Sequence, residues 1–291
     1  MLTDHTTRAA TDQDTDTATV AALYRYPIKS CAGMALTEGA IDARGFVHDR
    51  ELMLIDNATG TFLTQREFPR MALIRPHLAD GLLHVEAPGM AALTVSVVAA
   101  GPERPVVIWR DTCPAVDQGD EIAGWLGEFL GTDCRLVRLP VDYRRQVDQT
   151  FATSADDQVG FADGFPFLLI SEESLADLNS RLDTPLPMNR FRPNIVVRGG
   201  GPFWEDRVGS FRIGAITFRC LKPCPRCSIT TTDQATALIG KEPLRTLATF
   251  RRGGIHVPGP VHGAAYFGQN VTHDATGVIW AGDAAVPLPV V

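Results

Sequence analysis

The chain has 291 residues, of which 45% are hydrophobic and 21% are charged, and its formal net charge at pH 7 is −7. A soluble globular chain of this length can bury a full core, and we expect two closely joined domains. The negative charge argues against a general nucleic-acid binder, although it allows a local basic pocket. Six cysteines are too few for a disulfide scaffold, so cysteines close together indicate metal or redox chemistry.

The N-terminal segment shows no targeting or membrane signal. No apolar run approaches the roughly 20 residues that cross a bilayer, and the basic-then-apolar order of a secretory signal is missing. Residues 1–19 contain seven Thr and four Asp, with Arg8 as the one basic residue. This composition is too acidic for a mitochondrial presequence and too polar to form a core, so it predicts a disordered tail. We therefore expect a cytoplasmic protein without a membrane partner, ordered from Val20 onward.

Short strands separated by turns dominate the predicted elements. Alternating apolar residues on either side of Gly-, Asn- and Pro-containing turns predict two hairpins, 51–56 with 61–65 and 82–85 with 93–97. The other predicted strands are 20–26, 194–197, 211–218 and 278–280.

Helical periodicity is rarer, and it predicts three helices: 122–130, one through Leu175, Leu178 and Leu182 after a Ser171 N-cap, and 243–250 with Pro in its first turn. The pattern is mainly β with a few α-helices, which favours barrels over a βαβ repeat. The glycine run at 199–201 fits neither a dinucleotide motif nor a P-loop. The polar stretch at 142–163 is the predicted domain boundary, and it could equally shape a substrate entrance.

Three of the six cysteines, Cys220, Cys224 and Cys227, lie within eight residues after a strand-like run. Their spacing matches an iron–sulfur motif, but that motif belongs early in a long α/β barrel. Zinc would need a second ligand pair, which the sequence does not show. A thioredoxin-like site would need a helix after the cysteines, whereas 228–232 is strand-like. Buried, unreactive thiols remain an alternative.

Four further segments, 27–33, 45–50, 189–195 and 267–270, accompany the Cys-Pro-Arg-Cys element at 224–227. In order and over residues 20–290, these five segments resemble the MOSC (molybdenum cofactor sulfurase C-terminal domain) family. The most similar branch looks like that of the mitochondrial amidoxime reducing component and its bacterial relatives without a ferredoxin domain. The resemblance implies a MOSC N-terminal β-barrel-like domain at 20–145 joined to a MOSC β-barrel domain at 146–291.

The same resemblance implies a molybdenum cofactor site. It makes Cys227 the catalytic residue and the protein ligand to molybdenum. The implied cofactor-binding residues are Lys29, Ser30, Arg50, Gly164, Phe165, Arg192, Asn194, Pro225, Arg226 and Asn270. Gly164 and Phe165 stand where mitochondrial members have hydroxyl side chains, and Asn270 stands where they have tyrosine. Backbone groups would therefore serve at the first two positions and a side-chain amide at Asn270.

Physical chemistry agrees with this placement. Molybdopterin is an anionic dithiolene with a phosphate, so its pocket needs fixed cations, preferably guanidinium groups. A thiolate suits a soft metal, and a neighbouring cation such as Arg226 favours the thiolate. Asp49 and Asp163 lie beside the predicted pocket, where either could relay protons or cap a turn. His262 and His273 could approach a substrate, although isolated histidines are more often packing or surface residues.

The resemblance implies a molybdenum-dependent oxidoreductase that reduces small N-hydroxylated compounds (amidoximes, hydroxylamines and N-hydroxylated bases) by two-electron oxygen abstraction. Some bacterial relatives carry a ferredoxin-like domain after the MOSC domain, whereas this chain has no cysteine after Cys227 and ends at Val291. We therefore expect a separate electron donor: a ferredoxin, a flavoprotein or a cytochrome b5-like protein. A non-enzymatic carrier of the cofactor or of a persulfide, and a structural or zinc-binding protein, remain alternatives.

Overall fold

The computed structural model describes residues 17–289, and this part of the chain is mainly β, with 38% strand and 15% helix. The predicted fold class is confirmed. In chain order, strands β1–β18 are Ala18–Arg25, Met34–Leu36, Glu38–Asp42, Gly45–Phe46, Leu52–Asp56, Arg75–Ala79, Leu82–Glu86, Leu93–Ser96, Glu103–Ile108, Asp111–Asp117, Cys134–Arg138, Phe167–Ser171, Ile195–Arg198, Ser210–Ile213, Ile216–Pro225, Tyr266–His273, Gly277–Trp280 and Ala284–Pro287. Helices α1–α4 are Asp120–Leu130, Glu172–Asn179, Trp204–Arg207 and Leu244–Phe250, and 3-10 helices cover Pro69–Leu73, Met188–Arg190 and Ser228–Thr231.

Seven strands close into a barrel. Their order is β13-β12-β16-β15-β14-β18-β1, and β1 pairs back with β13, while β2 extends the sheet beyond β1. β12 and β13 run parallel, whereas the other ladders of the barrel are antiparallel. Large aromatic side chains fill the interior, because alternate residues of each strand point inward. Phe167, Phe211 and Phe218 of the strands, together with Trp204 of α3, belong to its core cluster.

The N-terminal half forms a curled sheet of four strands in the order β5-β11-β10-β9, accompanied by a three-stranded sheet, β6-β7-β8. Helix α1 buries Ile122, Leu126 and Phe129 in the same core cluster as residues of these sheets. The helix ends at Gly131, whose φ of 70° lets its N–H bond back to the Gly127 carbonyl.

The barrel includes a strand from the start of the chain. β1 begins at Ala18, two residues before the start expected from the sequence, and pairs with β13 and β18. Positions 1–16 of the predicted tail lie outside the described residues. Because β1 completes the barrel, the segment that follows it is carried to the beginning of β13. The division of the chain at residue 145 stays a prediction.

The predicted elements fare unevenly. The hairpin of β7 and β8 is confirmed, as are helix α1 and the Ser171 cap of α2, where Ser171 Oγ accepts from the Ser174 N–H. The single strand at 211–218 is wrong, because a turn with Gly214 at a φ of 58° separates β14 from β15. The strand at 61–65 is reduced to isolated bridges at Thr61 and Phe62.

Two further differences concern helices. The strand expected at 228–232 is wrong, since a 3-10 helix covers Ser228–Thr231. Its Thr230 and Thr231 hydroxyls donate to backbone carbonyls three residues earlier, which competes with an extended conformation. Helix α2 stops at Asn179, before Leu182. Between residues 17 and 289, no helix is long and apolar enough to cross a lipid bilayer.

Candidate functional site

A cavity lies where the segment after β1 meets the barrel. Its walls come from that segment, the loops before β5, β12 and β13, the end of β15, and β16. All the residues predicted for the site line it, although their roles stay predictions: Lys29, Ser30, Arg50, Gly164, Phe165, Arg192, Asn194, Pro225, Arg226, Cys227 and Asn270. The fold thus brings together positions that are up to about 240 residues apart in the sequence.

Two arginines of the cavity share one aromatic support. The Cζ atoms of Arg50 and Arg192 lie 4.2 and 4.3 Å from the centre of the Tyr26 ring, within the range of cation–π attraction. The Tyr26 hydroxyl donates to the Pro193 carbonyl at 3.0 Å, and burial raises the pKa of Tyr26 to about 12. The ring therefore stays neutral and fixed beneath both guanidinium groups.

Arg50 is held in place by neighbouring polar groups. Its Nη1 donates to Asp49 at 2.5 Å and to Asn194 Oδ1 at 2.8 Å. Asp49 is buried and also accepts from the Tyr26 N–H at 2.8 Å. Burial raises the pKa of Asp49, an effect that Arg50 opposes. Asp49 thus orients Arg50 rather than facing the cavity, which favours a structural role over a proton relay.

Arg192 is the most incompletely paired cation of the cavity. It is buried, and its Nη1 donates to the Cys31 carbonyl at 2.6 Å. Its Nη2 is also buried and has no hydrogen-bond partner in the described part of the chain. Burial lowers the pKa of Arg192 to about 10, so the group remains charged at neutral pH. An unpartnered buried donor costs about 1–3 kcal/mol, more when charged, and a bound anion removes that cost.

Lys29 lies beside Asp163, the one acid among the described residues of the cavity wall. Its amine donates to the Phe161 carbonyl at 2.8 Å and forms an ion pair with Asp163. Burial lowers the pKa of Lys29, and Asp163 opposes this effect. The charge of Lys29 and its hydrogen bond hold the pKa of Asp163 below its usual range. The pair is therefore an ammonium and a carboxylate at neutral pH.

Backbone strain concentrates around this cavity. Ser30, Arg50 and Arg192 adopt φ values of 65°, 45° and 56°, in the left-handed region that non-glycine residues rarely occupy. Such conformations cost about 1–3 kcal/mol each and cluster at functional sites. Here the three residues lie in three separate segments of the cavity wall.

Cys227 ends the segment that follows β15 and precedes a 3-10 helix. Its thiol is half-buried, and Arg66 Nη2 lies 3.5 Å from Sγ. Arg226 turns away from it: Nη1 donates to Cys224 Sγ at 3.1 Å and Nη2 to the Phe191 carbonyl at 2.7 Å. Cys224 also lines the cavity, whereas Cys220 packs against the barrel core. The three cysteines therefore do not form one ligand set.

The remaining predicted contacts are more peripheral. The Asn270 amide donates to the Lys222 carbonyl at 3.4 Å. A Cβ atom at Gly164 would meet nothing within 4 Å, so its backbone is accessible. His273 lies outside the cavity wall, with Nε2 against the Asp42 carbonyl at 2.6 Å, and His262 packs beside Gly254. Neither histidine is among the residues that line the cavity.

The sequence did not indicate that Arg66 and Trp109 lie next to the candidate site. Arg66 Cζ lies 4.6 Å from the centre of the Trp109 ring, and Trp109 Nε1 donates to Asp163 at 3.1 Å. Both residues are isolated within their segments, so neither forms a motif that spacing could reveal. Trp109 has a φ of 57° and is 46% exposed, but these signals exist only in the folded chain.

The residues present fit an anionic ligand that carries a soft metal. Four cations line the cavity, and two of them, Arg192 and Arg226, have a buried donor without a partner among the described residues. A half-exposed thiol lies in the same wall. Guanidinium groups bind phosphate well, and thiolates suit soft metals. In the described residues, no group of three or more His, Cys, Asp or Glu side chains could hold a metal ion by itself.

Comparison with known proteins identifies the family. Residues 17–133 match the MOSC N-terminal beta barrel domain, and residues 156–286 match the MOSC domain. The chain is 35% identical to mitochondrial amidoxime-reducing component 1 of Mus musculus, over 91% of this chain and 81% of that protein. It is 35% identical to mitochondrial amidoxime reducing component 2 of Bos taurus, over 80% of this chain and 72% of that protein.

A second kind of relative shares a smaller part of its own length. The chain is 30% identical to a molybdenum cofactor sulfurase of Danio rerio, over 84% of this chain and 32% of that protein. Together with the two domain matches and the cavity that unites the predicted residues, these similarities establish that the chain belongs to the MOSC family.

Proposed function

We propose that this chain binds molybdenum cofactor in the cavity and acts as an oxidoreductase that reduces N-hydroxylated compounds. One observation carries the proposal: the buried, unpartnered Nη2 of Arg192 belongs to the same cavity as the half-exposed thiol of Cys227. The first needs an anion and the second suits a soft metal. The similarity to proteins named amidoxime-reducing components supports the choice of substrate.

Different residues of the cavity would bind different parts of the cofactor. Lys29, Arg50, Arg192 and Arg226 would hold the anionic groups of the pterin and its phosphate, aided by the polar side chains of Ser30, Asn194 and Asn270. Gly164, Phe165 and Pro225 would contribute backbone contacts. Cys227 would provide the thiolate ligand. At about 1.5–3 kcal/mol for each charge-assisted hydrogen bond, a few such contacts suffice to retain the cofactor.

The chemistry divides between cofactor and protein. When bound, the cofactor would supply the two-electron redox chemistry that cleaves the N–O bond. The chain positions it, and the half-exposed side of the cavity at Cys227 leaves room for a small substrate. Two electrons would come from a separate protein (a ferredoxin, a flavoprotein or a cytochrome b5-like protein).

A carrier of the cofactor or of a persulfide is a second candidate. The half-exposed Cys227 thiol and the similarity to a molybdenum cofactor sulfurase favour it. The same cations and thiol would serve either function. The two candidates differ in what happens after binding, because an enzyme keeps the cofactor while a carrier gives it to an acceptor.

The test is reduction of benzamidoxime by the purified full chain with reduced methyl viologen as the chemical donor. We expect turnover that scales with bound molybdenum, and no robust turnover with NADH alone. Transfer of the cofactor to an acceptor apoenzyme, without turnover of benzamidoxime, would instead select the carrier. Turnover with NADH alone by pure protein would contradict the separate donor.

A further inference from the structure

Asp163 is the one acid among the described residues that line the cavity. Its side chain is 61% exposed, in contrast to the 7% of Lys29. A carboxylate facing an anionic cofactor is repelled by it. Its place in this wall therefore indicates a second ligand, one that carries N–H donors or positive charge.

The carboxylate is held by one oxygen and open at the other. Oδ1 accepts from Lys29 Nζ and from Trp109 Nε1, the latter at 3.1 Å. No hydrogen bond to Oδ2 is formed by residues in the described range 17–289. Carboxylate oxygens can accept several hydrogen bonds, so Asp163 keeps acceptor capacity in a fixed orientation.

A continuous run of contacts joins this carboxylate to the thiol. Trp109 donates to Asp163, Arg66 lies over the Trp109 ring, and Arg66 Nη2 is 3.5 Å from Cys227 Sγ. We name Asp163, Trp109 and Arg66 the rim. Asp163 and Cys227 line the cavity, and through these contacts the rim adds a half-exposed aromatic ring and a cation between the carboxylate and the thiol.

The proposed reaction creates positive charge that such an acceptor would stabilise. An amidoxime, R–C(NH2)=N–OH, takes two electrons from the one-electron donor protein and three protons from water to give the amidinium R–C(NH2)2⁺ and one water molecule. The N–O bond breaks, two N–H bonds form on the nitrogen that carried the hydroxyl, the third proton completes the water molecule, and the neutral N–C–N group becomes a cation. An acceptor fixed where charge develops lowers the barrier.

We propose that Asp163 determines substrate specificity: its free Oδ2 accepts an N–H from the amino group next to the N–O bond, which favours amidoximes and N-hydroxyguanidines over hydroxylamines without a neighbouring N–H. This inference rests on the proposed function. Trp109 and Arg66 are positioning residues, because Trp109 orients the carboxylate and Arg66 packs between Trp109 and the thiol.

The first test measures binding rather than turnover. Benzamidine, which carries the amidinium group of the product, is titrated calorimetrically into the full chain, into Asp163→Asn and into Asp120→Asn. Asp120 is the matched control, since its side chain is 97% exposed and pairs with Arg135 on the surface. We expect Asp163→Asn to weaken binding at least about tenfold and Asp120→Asn to leave it unchanged. No binding to the wild type, or equal binding to all three, would overturn the inference.

The second test compares two substrates. For each variant, kcat/KM per bound molybdenum is measured with benzamidoxime and with N,N-diethylhydroxylamine, which has no N–H group. We expect Asp163→Asn to lower kcat/KM for benzamidoxime about tenfold, while kcat/KM for N,N-diethylhydroxylamine changes little. Trp109→Phe keeps the ring but removes the donor to Asp163, and we expect a smaller change in the same direction. This variant serves as well if Asp163→Asn does not fold.

The outcomes distinguish failure of the specificity role of Asp163 from failure of the proposed function. A parallel loss with both substrates would show that Asp163 only supports Lys29, which overturns the specificity role. If the loaded wild type reduces neither substrate, the proposed function fails, while benzamidine binding still decides whether Asp163 recognises amidines.

Discussion

The guanidinium groups of Arg50 and Arg192 lie over the same ring, with Cζ atoms 4.2 and 4.3 Å from its centre. Two like charges on one support repel each other. Attraction to the face of a neutral ring and to a nearby anion offsets this repulsion. Tyr26 is the ring, and Asp49 pairs with Arg50. Among the described residues, Arg192 has no ion pair of this kind, which leaves its charge for a ligand.

Replacing the ring tests this support. We expect Tyr26→Leu to destabilise the chain by about 2–4 kcal/mol, because it removes a fully buried aromatic side chain, and to lower cofactor content severalfold. Tyr26→Phe keeps the ring and loses the hydroxyl bond to Pro193, so we expect about 1 kcal/mol of destabilisation and near-normal cofactor content. Urea unfolding and molybdenum analysis give both quantities. Equal cofactor loss in the two variants would contradict a role for the ring face.

Gly33 allows the ring to lie where it does. A Cβ atom at this position would stand 2.3 Å from Tyr26 Cε1, so the ring or the backbone must move. We expect Gly33→Ala to cost about 1–3 kcal/mol in the free energy of unfolding and to reduce cofactor content. Gly209→Ala is the control, because its Cβ would meet nothing within 4 Å. A normal cofactor content in Gly33→Ala would show that the arginines tolerate a displaced ring.

Replacing Arg192 tests cofactor binding separately from the stability of the fold. We expect Arg192→Met to lower cofactor retention at least about tenfold, through loss of a charge-assisted contact. The cofactor-free chain should change by only about 1 kcal/mol, since the variant also removes an unpartnered buried donor. Arg190→Met is the comparison, because Arg190 pairs with Asp233 away from the cavity wall. Should Arg190→Met lose cofactor equally, the assignment of Arg192 fails.

Glu205 predicts a pH dependence of stability outside the cavity. Burial, followed by the charge of Asp206, raises the pKa of Glu205 to about 7, and its Oε1 has no partner among the described residues. The folded state therefore holds this proton up to a higher pH than the unfolded state, whose pKa is near 4.5. Stability should fall as pH rises from about 4.5 to 7, by about 3 kcal/mol at most. We expect Glu205→Gln to flatten this slope in urea titrations at several pH values. An unchanged slope would contradict the assignment.

The sequence predicted the cavity wall well because its residues sit in short segments with distinctive spacing. The Cys-Pro-Arg-Cys element and the segments around Lys29, Arg50 and Arg192 are local patterns, so they can be recognised in the sequence alone. Closure of the barrel by β1 could not be predicted from the sequence. The pairing of Val20 with Val197 joins distant segments, and packing rather than a local pattern determines it. Arg66, Trp109 and the free oxygen of Asp163 depend on side-chain contacts between distant segments, which no local pattern encodes.

The turns were the weakest part of the predictions for the same reason. Apolar residues at 211–218 fit one strand as well as two, and the left-handed conformation of Gly214 decides between them. The strained φ values of Ser30 and Arg192 go further against expectation, since neither residue type favours them. Such positions are expected where function, rather than local preference, sets the backbone.

The most direct test of the central claim is the molybdenum and pterin content of the full chain, purified from a host that makes the cofactor, beside that of Cys227→Ala. We expect both components near one per chain in the wild type. In Cys227→Ala, the metal should be lost or its absorption spectrum altered, because the variant removes the thiolate ligand. Zinc, iron or no metal in the wild-type chain, or an identical metal content and spectrum in the variant, would contradict the claim that this cavity holds molybdenum cofactor through Cys227.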